Sequence, residues 1–199
     1  MAKKKRPTTQ KGANTGKVCQ FKITLQGSSP LIWRQFDVLE DVSLAELHEV
    51  VQVVMGWENA HLHQFATKTE RYAPRSPYDD FGFDDESIDE GTVKIKEVAG
   101  RKGARLQYEY DFGDGWDHLL QLEEVKPPEP NVTYPVCLKG KGACPPEDCG
   151  GVWGYEHLLE VIADPRHEEH DELLEWLGED FDAEEFDPEE VNEMLRSAT

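Results

Sequence analysis

The chain reads as an α+β domain. The expected architecture is a mostly antiparallel sheet of about five to six strands, an early helix and a C-terminal group of about three helices. Three observations predict this. Short runs of alternating apolar residues recur between residues 18 and 125. An Asp-Gly turn joins two of those runs, which is the strongest short-range hairpin signal in the chain. Beyond residue 150 the apolar spacing turns helical, and strands followed by helices segregate into an α+β arrangement.

Val18 to Gln26 alternates, with Phe21, Ile23 and Leu25 on one face. Gly27-Ser28-Ser29-Pro30 is a turn, and Leu31 to Val38 forms the partner strand, with Ile32, Arg34, Phe36 and Val38 on a shared face. Ser43 followed by Glu46 is a capping-box signature opening a helix from Leu44 to about Met55, and Gly56 ends it. His61 to Thr67 is expected as a strand, with Leu62 and Phe65 inward. Glu70 to Gly91 is acidic and turn-rich, an excursion over the surface. Thr92 to Val98 alternates briefly. Arg105 to Tyr110 and His118 to Val125 flank the turn Asp111-Phe112-Gly113-Asp114-Gly115-Trp116. Pro127-Pro128-Glu129-Pro130 ends the sheet region. Helices follow at about Tyr155–Ala163, His167–Leu177 and Pro188–Leu195, the last with Asp187 as N-cap.

A length of 199 residues suits one domain, here residues 17–199, preceded by a flexible basic tail over residues 1–16. Hydrophobic residues make up 38%, and five tryptophans with eight phenylalanines supply the apolar area that offsets chain entropy. No apolar run approaches the roughly 18 residues of a membrane span. The start Met1-Ala2-Lys3-Lys4-Lys5-Arg6 has no apolar stretch behind it, so a secretory signal is not expected and the cytoplasm is. The net charge of −20 is uneven: residues 1–17 carry six Lys or Arg and no acid, whereas residues 147–199 carry 19 acids against two arginines. Such a body repels phosphate backbones, so nucleic-acid binding could come only from the tail, weakly.

Several motifs occur in a distinctive order. They are Pro30-Leu31-Ile32-Trp33-Arg34, Leu47-His48, Gln52, Met55-Gly56-Trp57, His61-Leu62-His63-Gln64-Phe65, Tyr110-Asp111-Phe112-Gly113-Asp114 with Trp116 and His118, and Ala143-Cys144-Pro145-Pro146-Glu147-Asp148-Cys149-Gly150-Gly151 through Gly154-Tyr155. With these motifs the chain resembles the plasmid pRiA4b ORF-3-like family from about residue 18 to 195. The resemblance implies a compact α+β domain, found mainly in bacteria and often near mobile elements. It implies no established activity, so no catalytic residues transfer. Some relatives carry a resolvase label. A serine recombinase needs a nucleophilic serine in an arginine-rich site and a basic helix-turn-helix. Ser28, Ser29, Ser43, Ser76, Ser87 and Ser197 lie in no arginine cluster, and the C-terminal helices are the most acidic part. A functional resolvase is therefore not expected.

Three constellations remain. Cys137, Cys144 and Cys149 stand in a Pro/Gly-rich loop, but their spacing lacks paired C-x2-C knuckles. With one histidine from His118, His61, His63 or His157 they could hold zinc, the one metal the sequence suggests, and no cofactor is established. The simpler reading is small buried hydrophobes pinning the loop. His61 and His63 would share a strand face, and with His118 and Asp114 or Asp117 could activate a metal-bound water. The simpler reading is plain polar alternation. Trp33, Arg34, Trp57, Asp114 and Trp116 could line a recognition surface, or form core and cation–π packing. The leading functional expectation is a non-enzymatic module, associated with mobile elements, that binds an unknown protein or peptide between sheet and helices. The alternative is a metal-dependent hydrolase using His61, His63 and His118. Weak nucleic-acid binding through the N-terminal lysines comes third.

Overall fold

The computed structural model describes residues 16–75, 86–178 and 181–198. The basic tail expected over residues 1–16, apart from Gly16, and the centre of the acidic excursion lie outside the described residues. The first hairpin forms as the alternation dictates: β1 (Val18–Leu25) pairs antiparallel with β2 (Trp33–Leu39). Ser43 caps α1 (Leu44–Met55) through a complete capping box with Glu46, and Gly56 closes it in the left-handed conformation.

The chain then adds β3 (His63–Ala66), β4 (Arg71–Ala73) and β5 (Ile88–Asp89), a single 3-10 turn at Glu90–Thr92, and the short α2 (Ile95–Ala99). The long hairpin β6 (Arg105–Tyr110) and β7 (Trp116–Lys126) follows, then β8 (Val136–Lys141). Three helices end the chain: α3 (Gly151–Ala163), α4 (His170–Leu177) and α5 (Pro188–Ala198). Glu189 N donates to the Asp187 carboxylate (2.8 Å), the bond expected of an N-cap.

The α+β class stands, with eight strands among the described residues rather than about five to six, in the order β5-β4-β3-β6-β7-β1-β2-β8. Every pairing is antiparallel except β4 with β5. Two added strands are only two or three residues long, too short for any alternation to register. The third, β8, follows the prolines that were expected to end the sheet. Its apolar signal is interrupted by Lys139, Gly140 and Lys141, because it is an edge strand held by β2 on one side only. That edge is protected: Asn192 of α5 accepts from Cys137 N (2.8 Å) and donates to Cys137 O (2.9 Å).

Two local expectations change. Thr92–Val98 forms a turn and helix instead of a strand, because Ile95 and Ala99, one helical turn apart, are the positions that bury. Leu62 points outward and is 68% exposed, whereas His63 and Phe65 share the inward parity of β3.

One sheet face carries Phe21, Ile23, Leu25, Phe36, Phe65, Leu106, Tyr108, Leu120 and Leu122, all buried. The other shows Gln20, Lys22, Gln35, Gln64, Gln107 and Gln121. α1 lies across the buried face with Leu44, Leu47, Val51, Val54 and Met55 inward. α1 also brings polar groups into the core. His48 Nδ1 and Gln52 Nε2 both meet the Tyr108 hydroxyl (2.9 and 2.7 Å), and His48 Nε2 meets Asn59 (2.9 Å). The His48 ring stacks on His63 at 3.4 Å, and His63 Nε2 reaches the buried Glu90 carboxylate (3.0 Å).

Arg34 is the most demanding member of this interior. Its guanidinium is buried and donates to the carbonyls of Val54 (2.9 Å), Met55 (3.4 Å), Trp33 (3.0 Å) and Lys141 (2.8 Å). Its face lies 4.0 Å from the centre of the Phe186 ring. Replacement by methionine leaves these carbonyls without their donor. Arg34→Met is expected to cost about 3 kcal/mol or more in urea unfolding. Arg34→Lys should recover only part of the loss, because an ammonium cannot span the fork. A loss below about 1 kcal/mol for Arg34→Met would contradict the clamp.

His118 on β7 is buried and neutral. Trp57 Nε1 donates to its Nε2 (3.3 Å), so its proton sits on Nδ1, facing the Tyr108 carbonyl (3.3 Å). Burial pushes its pKa down to about 4, and burial also lowers that of His48. As pH falls the unfolded chain therefore takes up the proton first. This stability is complete above the ordinary histidine range near 6.5 and is lost on the way down to about 4. Between pH 7 and pH 5 the wild type should lose about 2 kcal/mol more than His118→Gln, measured by urea unfolding. Equal slopes for the two proteins would refute the assignment.

Candidate functional site

Three segments meet at one end of the sheet: the loop after α1 (residues 57–62), the β6–β7 turn (residues 111–115) and the Cys/Pro loop (residues 144–150). Asp111 N donates to Leu62 O (2.9 Å), joining the first two. Gly150 N donates to the Asp114 carboxylate (3.0 Å), joining the second and third. Glu58 N donates to Glu147 Oε1 (2.6 Å), joining the first and third. Two glycines in the first turn of α3, just beyond the third segment, serve close approach. A Cβ at Gly151 would sit 2.3 Å from the Asp114 carbonyl oxygen, and one at Gly154 would sit 1.8 Å from that of Cys149. The start of α3 is thereby pressed against both loops.

At the centre lies His61. Its Nε2 is 3.2 Å from Glu147 Oε2 and 3.5 Å from Asp148 Oδ1, and its Nδ1 is 3.7 Å from Asp111 Oδ2. His61, Asp111 and Asp148 each offer a ligand atom within 4.8 Å of the others, the one such set of three among the described residues. Asp111 and Glu147 have side chains only 12% exposed, whereas that of Asp148 is 77% exposed. Asn59, Asp111 and Asp148 all take positive φ near 56–59°, a region non-glycine residues seldom occupy and one found often at functional sites. The Tyr110 hydroxyl accepts from Ala60 N (2.9 Å) and donates to Glu147 Oε1 (3.0 Å), and burial pushes its pKa up to about 12. One imidazole among carboxylates is a donor set for a borderline divalent ion or for a cationic ligand group.

The three strand histidines are not brought together. β3 begins at His63, so the parity that would place His61 beside it fails. His63 turns inward to His48 and Glu90, and His118 sits beneath Trp57. The cysteines are likewise spread. Cys137 Sγ faces Gln35 O (3.8 Å), Cys144 packs against Gly56, and Cys149 Sγ faces Gly151 O (3.9 Å). Burial pushes the Cys137 and Cys149 thiols up to about 11 and that of Cys144 higher still. No cysteine joins a set of three close donors among the described residues. His157 pairs with Glu169 (3.9 Å).

Of the expected recognition residues, Arg34, Trp57 and Trp116 are interior. Trp57 packs on Trp116 and Tyr110 at ring distances of 5.0 and 5.5 Å. Trp33 is half-buried beneath Lys22 (4.6 Å), and Asp114 ties the β6–β7 turn to the Cys/Pro loop. The exposed apolar groups here are Leu62, Phe112 and Trp153, at 68%, 50% and 79%. Phe112 and Trp153 stand in the conspicuous motifs Asp111-Phe112-Gly113 and Gly151-Val152-Trp153-Gly154. The glycines beside them, Gly113 in the β6–β7 turn and Gly151 and Gly154 at the start of α3, are the signal that could have found them.

A family model described as plasmid pRiA4b ORF-3-like protein matches residues 17–190. The uncharacterised protein y4hQ of Sinorhizobium fredii is similar, 39% identical over 168 residues that span 83% of this chain and 84% of its own. The crystal structure of MM3350, a protein of unknown function from Methanosarcina mazei Go1, is similar with a TM-score of 0.79 and 39% identity. That match covers 88% of this chain and 97% of the other. The family-model match spans the sheet, α1 and all three loops of the candidate site, and the chain belongs to the plasmid pRiA4b ORF-3-like family.

Proposed function

We propose that the protein is a binding module whose ligand is a protein or peptide segment, docked on the loop end of the sheet. One observation carries this reading. Leu62, Phe112 and Trp153 are large, apolar and exposed, and the two loops that carry Leu62 and Phe112 are fixed to each other and to the start of α3, which carries Trp153, by hydrogen bonds and glycine contacts. Exposed apolar groups on rigid loops bind with little loss of conformational freedom, and tryptophan is the residue most enriched at binding hot spots. The polar centre at His61, Asp111, Glu147 and Asp148 gives that rim orientation specificity. Of the expected recognition residues, Trp57 and Trp116 contribute as the platform beneath the loops, and Asp114 as a tie between two of them.

Selection of displayed random peptides on the immobilised full chain tests this. Enriched peptides should carry at least two large apolar side chains. The double variant Phe112→Ser, Trp153→Ser should bind them at least about tenfold more weakly with an unchanged melting temperature, since both side chains are mostly solvent-exposed. Failure to enrich any sequence, or enriched peptides that bind the double variant equally well, would overturn the reading.

A further inference from the structure

The carboxylates around His61 are organised beyond what loop packing requires. Asp111 uses Oδ1 to accept from Gly113 N (2.9 Å) and turns Oδ2 toward His61. Glu147 does the same, with Oε1 accepting from Glu58 N and the Tyr110 hydroxyl while Oε2 faces His61. Each of these two groups thus spends one oxygen on fixing its orientation and directs the other to the His61 ring, Asp111 toward Nδ1 and Glu147 toward Nε2. This is the outer-shell arrangement that orients metal ligands.

Charge leads to the same conclusion. Three carboxylates converge on one imidazole, and among the described residues no lysine or arginine forms an ion pair with any of them. The buried carboxylate of Asp37, on β2, by contrast has Lys126 at 2.8 Å, while buried Glu90 faces His63. An imidazole that ligates a metal is neutral, so with His61 in that form the three carboxylates stand uncompensated, and two of them are mostly shielded from water. A divalent ion offsets two of those three charges.

We infer that His61, Asp111 and Asp148, with Glu147 beside them, form a binding site for one divalent cation. An imidazole among carboxylate oxygens selects a first-row transition ion such as manganese or zinc over magnesium or calcium. The exposed Asp148 leaves the solvent side open, so the bound ion can take a further oxygen or nitrogen donor from a ligand resting on the Leu62, Phe112 and Trp153 rim. The site thereby differs from both sequence-level metal expectations: it uses one of the three strand histidines and none of the cysteines.

Manganese titrated into chelator-treated full-length protein, followed by loss of the free-ion electron paramagnetic resonance signal, tests the assignment. Manganese disfavours thiol ligands, which separates this site from the cysteines. One ion per chain is expected, bound in the micromolar range. His61→Ala and Asp148→Asn should each weaken binding at least tenfold, and Cys144→Ser should leave it unchanged. Asp148 is exposed, so its variant keeps the fold even if substitution at Asp111 does not. Binding weaker than millimolar, or equal in wild type and Asp148→Asn, would overturn the site. Either result leaves the peptide-selection outcome free to stand or fall separately, because that experiment reads Phe112 and Trp153.

Discussion

The buried guanidinium of Arg34 is the constraint on which the rest of the structure depends. Removing such a group from water is costly, and among the described residues no carboxylate forms an ion pair with it. Backbone carbonyls offset the cost. Val54 and Met55 lie in the last turn of α1, where carbonyls lack intrahelical partners and the helix dipole is negative, so a cation there satisfies both. The bonds to Trp33 and Lys141 add β2 and β8, and Phe186 covers the face. Burial draws the pKa down to about 10, still well above neutrality, so the charge persists. One side chain thus fixes where α1 ends relative to the sheet edge. The room for it is equally specific: a Cβ on Gly140 would lie 2.7 Å from Arg34 Cδ and 2.6 Å from the Phe186 ring.

The end of α1 matters because the candidate site begins there. Gly56 turns the chain, Trp57 plugs the core against Trp116 and Tyr110, and Asn59 bonds back to Gln52 and His48. From that anchored segment His61 reaches the carboxylates of two other loops. The Tyr110 hydroxyl couples core to surface: its ring packs on Trp57, while its oxygen holds both the Ala60 amide and Glu147. A rigid aromatic and histidine interior beneath polar loops lets those loops keep strained backbone conformations at Asp111 and Asp148. It also lets the loops present Phe112 and Trp153 to solvent at fixed positions.

Much of this was legible in the chain. The first hairpin, the boxed helix and the Asp-Gly hairpin each rest on interactions within a few residues, and their signals survive folding unchanged. The same holds for the family resemblance, whose motifs fall on the loops that build the site. The candidate site itself was legible only in part. His61 was a candidate from the chain, but Asp111 and Asp148 stood only within longer motifs; the three are separated by 50 and 37 positions, and nothing local says that they meet. His61 and His63 misled because period-two reasoning holds only inside a strand, and β3 starts at His63. Trp57 and Trp116 suggested a surface, yet the core had room for both.

The sequence by itself determined the alternation that gives one apolar sheet face, the start and stop of α1, the acidic C-terminal third and the family. Those are properties of neighbours in the chain, decided by propensity, capping and hydrophobic period. Only the tertiary structure decided that β8 closes the sheet beside Arg34, that the strand histidines part company, and that three loops bring carboxylates to one imidazole. These depend on which distant backbone groups come within hydrogen-bonding range. Sequence spacing carries no record of that distance.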